Sequence, residues 1–194
     1  MNKIKIGIAG CGGIGSNVAC HLVRAGVDYL KFGDFDKIEL SNLNRQFFFK
    51  KQIGLYKSKT LSENLLMINP EGKFEYEIIK FDRNNIKNFF ADCDIVVEAF
   101  DKKENKAMLL EELLPENKII VSASGIGSWK TDTIKRKQIG KNLFIVGDFE
   151  TDTDSNKTYS HKVGAVAAVM AGIVLEKGGL LWEKELQFQK EFTE

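Results

Sequence analysis

The residues of this chain with the clearest capacity for chemistry are glycines. Gly10-x-Gly12-x-x-Gly15 follows an alternating apolar run and opens a helical pattern. In that setting a bare backbone can approach a phosphate closely, and the free N–H groups of a helix N-terminus face its negative charge. Asp34 stands 24 positions after Gly10, near the spacing at which a carboxylate holds ribose hydroxyls in dinucleotide-binding domains. On these residues alone a nicotinamide-type enzyme is one reading, and glycines that serve only strand–helix packing are another. Asp101 follows the apolar run 94–100, at the carboxyl end of a predicted strand where α/β proteins gather ligands; it would equally suit the cap of the next helix.

The elements that must position these residues alternate regularly. Ile4, Ile6 and Ile8 alternate with Lys3, Lys5 and Gly7, which predicts a strand running into the glycine turn. Ile14, Val18, Leu22 and Val23 recur at helical spacing up to Gly26. A second strand over 29–35 ends in Asp34 and Asp36, and a long polar connection, 38–46, comes after it. Helices are predicted over 54–68, 86–90 and 103–114, with strands over 74–79, 94–100 and 118–123. This alternation predicts a Rossmann-like α/β fold, a doubly wound and mostly parallel sheet. Two runs, 129–137 and 142–149, add an antiparallel β extension. Residues 150–162 read as a polar loop, and 163–175 as a helix rich in Gly and Ala that packs in the core or at a dimer interface. Residues 180–192 read as a weakly amphipathic helix or tail.

Composition narrows the function classes. At 194 residues the chain predicts one domain, 1–194, since domains run to roughly 150 residues. Lys plus Arg is 28 and Asp plus Glu is 27, so the whole chain offers no electrostatic footprint for nucleic acid or an anionic membrane, and neither is predicted as a partner. The longest apolar run, 163–175, is too short to span a bilayer. The N-terminus lacks the unbroken apolar core of a signal peptide, so the expected location is cytoplasmic. Cys11, Cys20 and Cys93 form no CxxC pair, which predicts reduced, buried thiols and no structural zinc.

The stretch after the second strand is more specific than the glycine turn. The succession GCGGIG, Asp34–Asp36, SNLNRQF at 41–47, Gly54-Leu-Tyr-Lys57 and Asp101 resembles the ThiF/MoeB/HesA adenylyltransferases and the adenylation domains of ubiquitin-activating enzymes, with the short bacterial ThiF-type proteins as the nearest subgroup. The likeness covers residues 4 to about 125 well and 163–175 loosely. It implies an enzyme that binds ATP and Mg²⁺. The C-terminal Gly-Gly carboxylate of a small ubiquitin-like sulfur carrier protein (ThiS-like) would attack the α-phosphorus, giving an acyl adenylate and pyrophosphate, with thiamine biosynthesis as the pathway. By resemblance Gly10, Gly12, Gly13 and Gly15 contact the nucleotide through their backbone, and Asp34 accepts from the ribose. Asn42, Arg45 and Gln46 reach the phosphates, Lys57 neutralises the α-phosphate, and Asp101 holds magnesium. Such nucleotidyl transfer rests on positioning and charge neutralisation, which these residue types supply. Lys59 is a rival for the role of Lys57, Lys102 and Lys106 are second-rank phosphate contacts, and His161 reads as an ordinary solvated histidine.

The departures set further expectations. Relatives carry an N-terminal arm whose arginine enters the partner's site, zinc-binding CxxC pairs, and in some cases a cysteine in the crossover loop; this sequence shows none of these, and residues 150–162 hold no cysteine. The resemblance therefore implies adenylation rather than sulfur transfer, in a symmetric homodimer. A nucleotide-binding scaffold without turnover, and an NAD(P)-dependent oxidoreductase, remain alternatives on the sequence.

Overall fold

A computed structural model describes residues 4–151 and 156–180. Seven strands form one sheet in the order β3-β2-β1-β4-β5-β7-β6, comprising β1 (Ile6–Ala9), β2 (Tyr29–Gly33), β3 (Lys73–Glu77), β4 (Ile95–Glu98), β5 (Ile119–Ala123), β6 (Lys135–Ile139) and β7 (Leu143–Gly147). All neighbours pair in parallel except β6, which runs antiparallel to β7 on the outer edge of the described sheet. The predicted antiparallel extension is thus a hairpin whose inner strand continues the parallel sheet. β1 and β4 are buried at every position, as their continuous apolar runs require in a sheet covered on both faces.

Helices α1 (Gly13–Arg24), α2 (Lys57–Leu66) and α5 (Ser160–Lys177) close one face. Their apolar sides, including Val18, Leu22, Leu61, Leu65, Val166 and Met170, pack with Ile6, Ile8, Leu30 and Val97. On the other face α3 (Ile86–Phe89) and α4 (Lys103–Leu113) cover Val96 and Ile120 through Phe90, Met108 and Leu109. Burying one such side chain is worth about 1.5–3 kcal/mol, so the two layers hold the sheet against its helices.

Some boundaries differ from the sequence reading for identifiable reasons. The helix predicted from residue 54 begins at Lys57, because Gly54 adopts φ +89° in the preceding turn and Tyr56 occupies the extended cap. The strand predicted from residue 129 begins at Lys135, because Ser128 adopts φ +65° and Ile134 N–H closes a turn onto Thr131 O at 3.2 Å. The helix predicted from residue 163 begins at Ser160 and takes Lys162 out of the expected loop. On α5 the inward small residues are Ala167 and Ala171, whereas Gly164 and Gly172 meet no neighbour within 4 Å. Cys11 and Cys93 are buried free thiols, while Cys20 is only half-buried, contrary to expectation. The tail predicted over 180–192 lies, beyond Leu180, outside the described residues.

β1 sits at the switch point. The chain leaves it toward β2 and β3 on one side, then returns to β4 on the other, opening a crevice at the carboxyl ends of β1 and β4 where ligands of doubly wound sheets bind.

Candidate functional site

The glycine turn joins β1 to α1 in this crevice. Gly10 holds φ +96°, and a Cβ there would lie 2.9 Å from Ala99 O on the strand-end opposite. A Cβ on Gly15 would lie 1.9 Å from Gly10 O, so that position is closed to any side chain. Gly12 differs: the nearest atom to its missing Cβ is Gln46 Nε2, 3.8 Å away. Gly10 and Gly15 therefore build the turn, and Gly12 leaves space above it. Gly12 is also the N-cap of α1, and no side chain caps it, so the first N–H groups of the helix keep their capacity to bind an anion.

Asp34, at the end of β2, is 9% exposed and reaches the same turn. Its Oδ2 accepts from Cys11 N–H at 2.7 Å and its Oδ1 from Asp36 N–H at 2.7 Å. Burial raises its carboxyl above the ordinary aspartate range, with the two N–H bonds and Lys57 pulling the other way. Each carboxylate oxygen retains a lone pair for a further donor.

The segment 41–47 is bolted to α1 by two side chains that the sequence reading did not single out. Ser16 Oγ donates to Gly12 O at 2.6 Å and accepts from Phe47 N–H at 3.0 Å. Asn17 Nδ2 spans Gly13 O at 2.6 Å and Arg45 O at 2.8 Å. Their signal was available: polar residues one turn into a helix that follows a glycine turn, opposite a polar connection. Asn42 is committed to the turn itself, its Oδ1 accepting from Glu39 N–H at 2.9 Å. Arg45 runs beside the glycine turn, its Cγ 3.6 Å from the missing Cβ of Gly13, while Nη1 donates to Ser41 O and Asn44 Oδ1. Gln46 Oε1 is buried and is the one side-chain N or O atom among the described residues to be buried without a hydrogen bond. Such an atom costs about 1–3 kcal/mol until a donor reaches it.

Lys57, at the first position of α2, is 6% exposed and its Nζ lies 2.9 Å from Asp36 Oδ2. Lys59 points outward to Glu63 at 4.0 Å, which leaves Lys57 as the cation beside Asp34. Across the crevice Asp101 follows β4, exposed and without a hydrogen bond among the described residues. The turn carrying it is fixed from below: fully buried Glu98 accepts from Phe100 N–H at 2.7 Å, from Ser122 Oγ at 2.6 Å, and from Lys106 Nζ at 2.9 Å. Lys106 thus serves Glu98, which corrects its reading as a phosphate contact: an unpaired buried carboxylate would cost several kcal/mol, and Lys106 offsets it. Lys102 is the exposed N-cap of α4. His161 is exposed, as read, but its Nε2 sits 2.7 Å from Trp129 O.

A mostly parallel α/β sheet with an uncapped helix N-terminus, a buried carboxylate and two cations at its switch point defines a doubly wound α/β domain whose crevice can accept an anion. The chain belongs to the ThiF family, whose profile matches residues 1–178. Among curated proteins it is 30% identical to the adenylyltransferase and sulfurtransferase UBA4 of Candida glabrata over 129 residues, 66% of this chain and 30% of that one. It is 41% identical to ubiquitin-like modifier-activating enzyme 5 of Drosophila willistoni over 92 residues, 46% of this chain and 22% of that one. The chain thus spans about a third or less of the length of these relatives. Among solved structures its fold is similar to that of the E. coli tRNA N6-threonylcarbamoyladenosine dehydratase TcdA in complex with ATP, with TM-score 0.83 and 19% identity over 93% of this chain and 88% of that one. It is also similar to E. coli MccB with ATP, with TM-score 0.74 and 22% identity over 91% and 56% of the two chains. Among the described residues no helix is long and apolar enough to cross a membrane.

Proposed function

We propose that this chain is an ATP-dependent adenylyltransferase that activates the C-terminal carboxylate of a small ubiquitin-like sulfur carrier protein ending Gly-Gly, ThiS-like, in thiamine biosynthesis. The observation that carries the reading is the crevice itself: the open space over Gly12, the uncapped N-terminus of α1 and the unpaired Gln46 Oε1 meet at one point, flanked by Asp34. That combination suits a ligand with both anionic and donor groups, as ATP has in its phosphates and its ribose hydroxyls. The curated relatives named above, an adenylyltransferase and a modifier-activating enzyme, support the same reaction class.

In this reading the phosphates lie against the amides of α1 while Asp34 accepts from the ribose. Arg45 leaves Ser41 O, and Lys57 leaves Asp36, to meet the α-phosphate. Both are short swings of flexible side chains, and the charge they bring is needed most as negative charge builds on the phosphorus. The carrier's carboxylate oxygen forms the new bond to the α-phosphorus as the bond to pyrophosphate breaks, so no side-chain nucleophile takes part. Asp101 suits Mg²⁺: the ion is commonly held by one or two carboxylates together with substrate phosphates, and Asp101 is an exposed carboxylate beside the crevice without a protein partner among the described residues. Bound there, the metal would supply further charge neutralisation for the phosphates. Gln46 can present either end of its amide, its Nε2 to a phosphate or its Oε1 to a hydroxyl.

The test is carrier-dependent exchange of labelled pyrophosphate into ATP, with a carrier lacking its last two glycines as control. Exchange only with the intact carrier supports the proposal. ATP binding without exchange would favour a scaffold, and exchange driven by a short peptide or by modified tRNA in place of the carrier would move the substrate toward those of MccB or TcdA. We further propose a symmetric homodimer, which sedimentation velocity should show at micromolar concentration; a monomer there would refute it.

A further inference from the structure

The far half of the sheet edge holds a buried charge pair that the nucleotide site does not use. Lys162, in the first turn of α5, is 0% exposed, and its Nζ donates to Asp148 Oδ2 and to Gly127 O, each at 2.5 Å. Ser128 Oγ lies 3.3 Å from the same ammonium. Asp148, just past β7, accepts in addition from the N–H groups of Glu150 and Thr151 at 2.9 and 2.8 Å, and from Thr151 Oγ1 at 2.7 Å. Ser128 N–H donates to Lys157 O at 2.9 Å, and Thr158 bridges Gly127 and Ser128. Gly125 presses against the carboxylate so closely that a Cβ there would lie 2.0 Å from Asp148 Oδ1. Three separate stretches of chain, 125–128, 148–151 and 157–162, therefore meet on one ammonium and one carboxylate.

Stability alone is a weak reason for such a pair. Two charges withdrawn from water lose about as much hydration as their attraction returns, and an apolar pair of the same volume often serves as well. What the pair adds is direction: the donors gathered on one carboxylate fix the relative position of three loops. Those loops form the wall beyond β5 and β7, on the opposite side of the β1/β4 crevice from Asp34. The next residue, Val163, reaches back to the glycine turn, with Cγ1 3.2 Å from the missing Cβ of Gly13.

We propose that Lys162 and Asp148 are positioning residues that set this wall against the glycine turn, so that the extended tail bearing the carboxylate enters in line with the α-phosphorus. The inference rests on the adenylation reading for its substrate, and on the geometry alone for the pin. The nucleotide lies over β2 and β1, so the second reactant has the β4–β5–β7 side, where the wall stands.

The experiment uses the full chain with ATP and a ubiquitin-like carrier ending Gly-Gly. Lys162→Met leaves a buried carboxylate unpaired, so Lys162→Met/Asp148→Leu is made beside it to remove both charges. The double variant should melt within a few degrees of the wild type and keep its ATP Kd within threefold, while its carrier KM rises tenfold or more. Amide exchange at Glu150, Thr151 and Ser128 should quicken at least tenfold. A folded double variant with the wild-type carrier KM and wild-type amide exchange would overturn the proposal. So would equal rises in ATP Kd and carrier KM, since the pair would then act only on the fold. Absence of exchange in the wild-type chain would refute the adenylation reading instead, and the amide rates would still decide the pin.

Discussion

Replacing Gly12 by valine separates the ligand site from the fold. At this position the first Cβ contact is Gln46 Nε2 at 3.8 Å, an ordinary van der Waals distance, while the backbone, with φ −78° and ψ −149°, is one an L-residue adopts only with some strain. The fold should lose the preference for glycine over an apolar N-cap together with this backbone strain, about 1–3 kcal/mol in all, which lowers Tm by several degrees. A phosphate meets a different barrier, because the new methyl groups occupy the space it needs to reach the helix amides. Losing two charge-assisted hydrogen bonds of about 1.5–3 kcal/mol each weakens ATP by roughly a hundredfold or more. Gly15→Ala is the contrasting control: its Cβ would sit 1.9 Å from Gly10 O, well inside contact, so overpacking of several kcal/mol should drop Tm by about 10 °C or more. Calorimetric titration with a non-hydrolysable ATP analogue, beside thermal melts, reads both effects. Gly12→Val with full affinity and a normal melt would show that phosphates do not rest on this turn.

The same geometry sets two further outcomes. Arg45→Ala and Asp101→Ala should each lower carrier-dependent pyrophosphate exchange at least a hundredfold while Tm moves by only a few degrees, because neither side chain fills the core. Unchanged exchange in both would refute their assignment. ATP affinity should fall with pH by up to about tenfold per unit once Asp34 takes up a proton. Its carboxyl is raised by burial, so the fall begins at a higher pH than an ordinary aspartate of about 3.9 would give, and affinity is full above that range. Titrations across pH with Asp34→Asn as the flat reference check the sign, and an equal slope in that variant would exclude Asp34 as the titrating group.

The parts of this molecule that were legible in the sequence are those whose signal is local. The alternation of Ile4, Ile6 and Ile8, the glycine spacing and the stop at Gly26 each encode geometry within a few residues, and β1, the turn and α1 stand where those patterns place them. The glycines, Asp34, Arg45, Gln46 and Lys57 converge on one turn as a matter of topology, since the ends of β1 and β2 and the start of α2 share one edge. Buried charge was harder to see. Lys162 stands among polar residues, and its partner Asp148 comes 14 positions earlier with no periodicity to link them. A clue existed in helical spacing, because Lys162 shares a stripe with Val166, Met170 and Val174, all buried. Glu98 within the apolar run 94–100 is the same kind of clue, as a carboxylate in a fully covered strand must find a cation. The role of Lys106 was misread because helical position says nothing of which way a four-carbon stem will turn.

The outermost strand of the hairpin shapes how this protein behaves in a crowded solution. β6 presents every one of its residues to solvent, and its first three are Lys135, Arg136 and Lys137. A free strand edge is a template for a foreign strand, yet another β6 laid against this one in parallel register, as identical segments stack in fibrils, would set each of the three cations against its own copy. Arg136 is tethered to Glu176 and Lys137 rests over the Phe149 ring, so part of that charge is held in place rather than free to lean away. On this margin, resistance to fibrous growth is a property of three consecutive side chains.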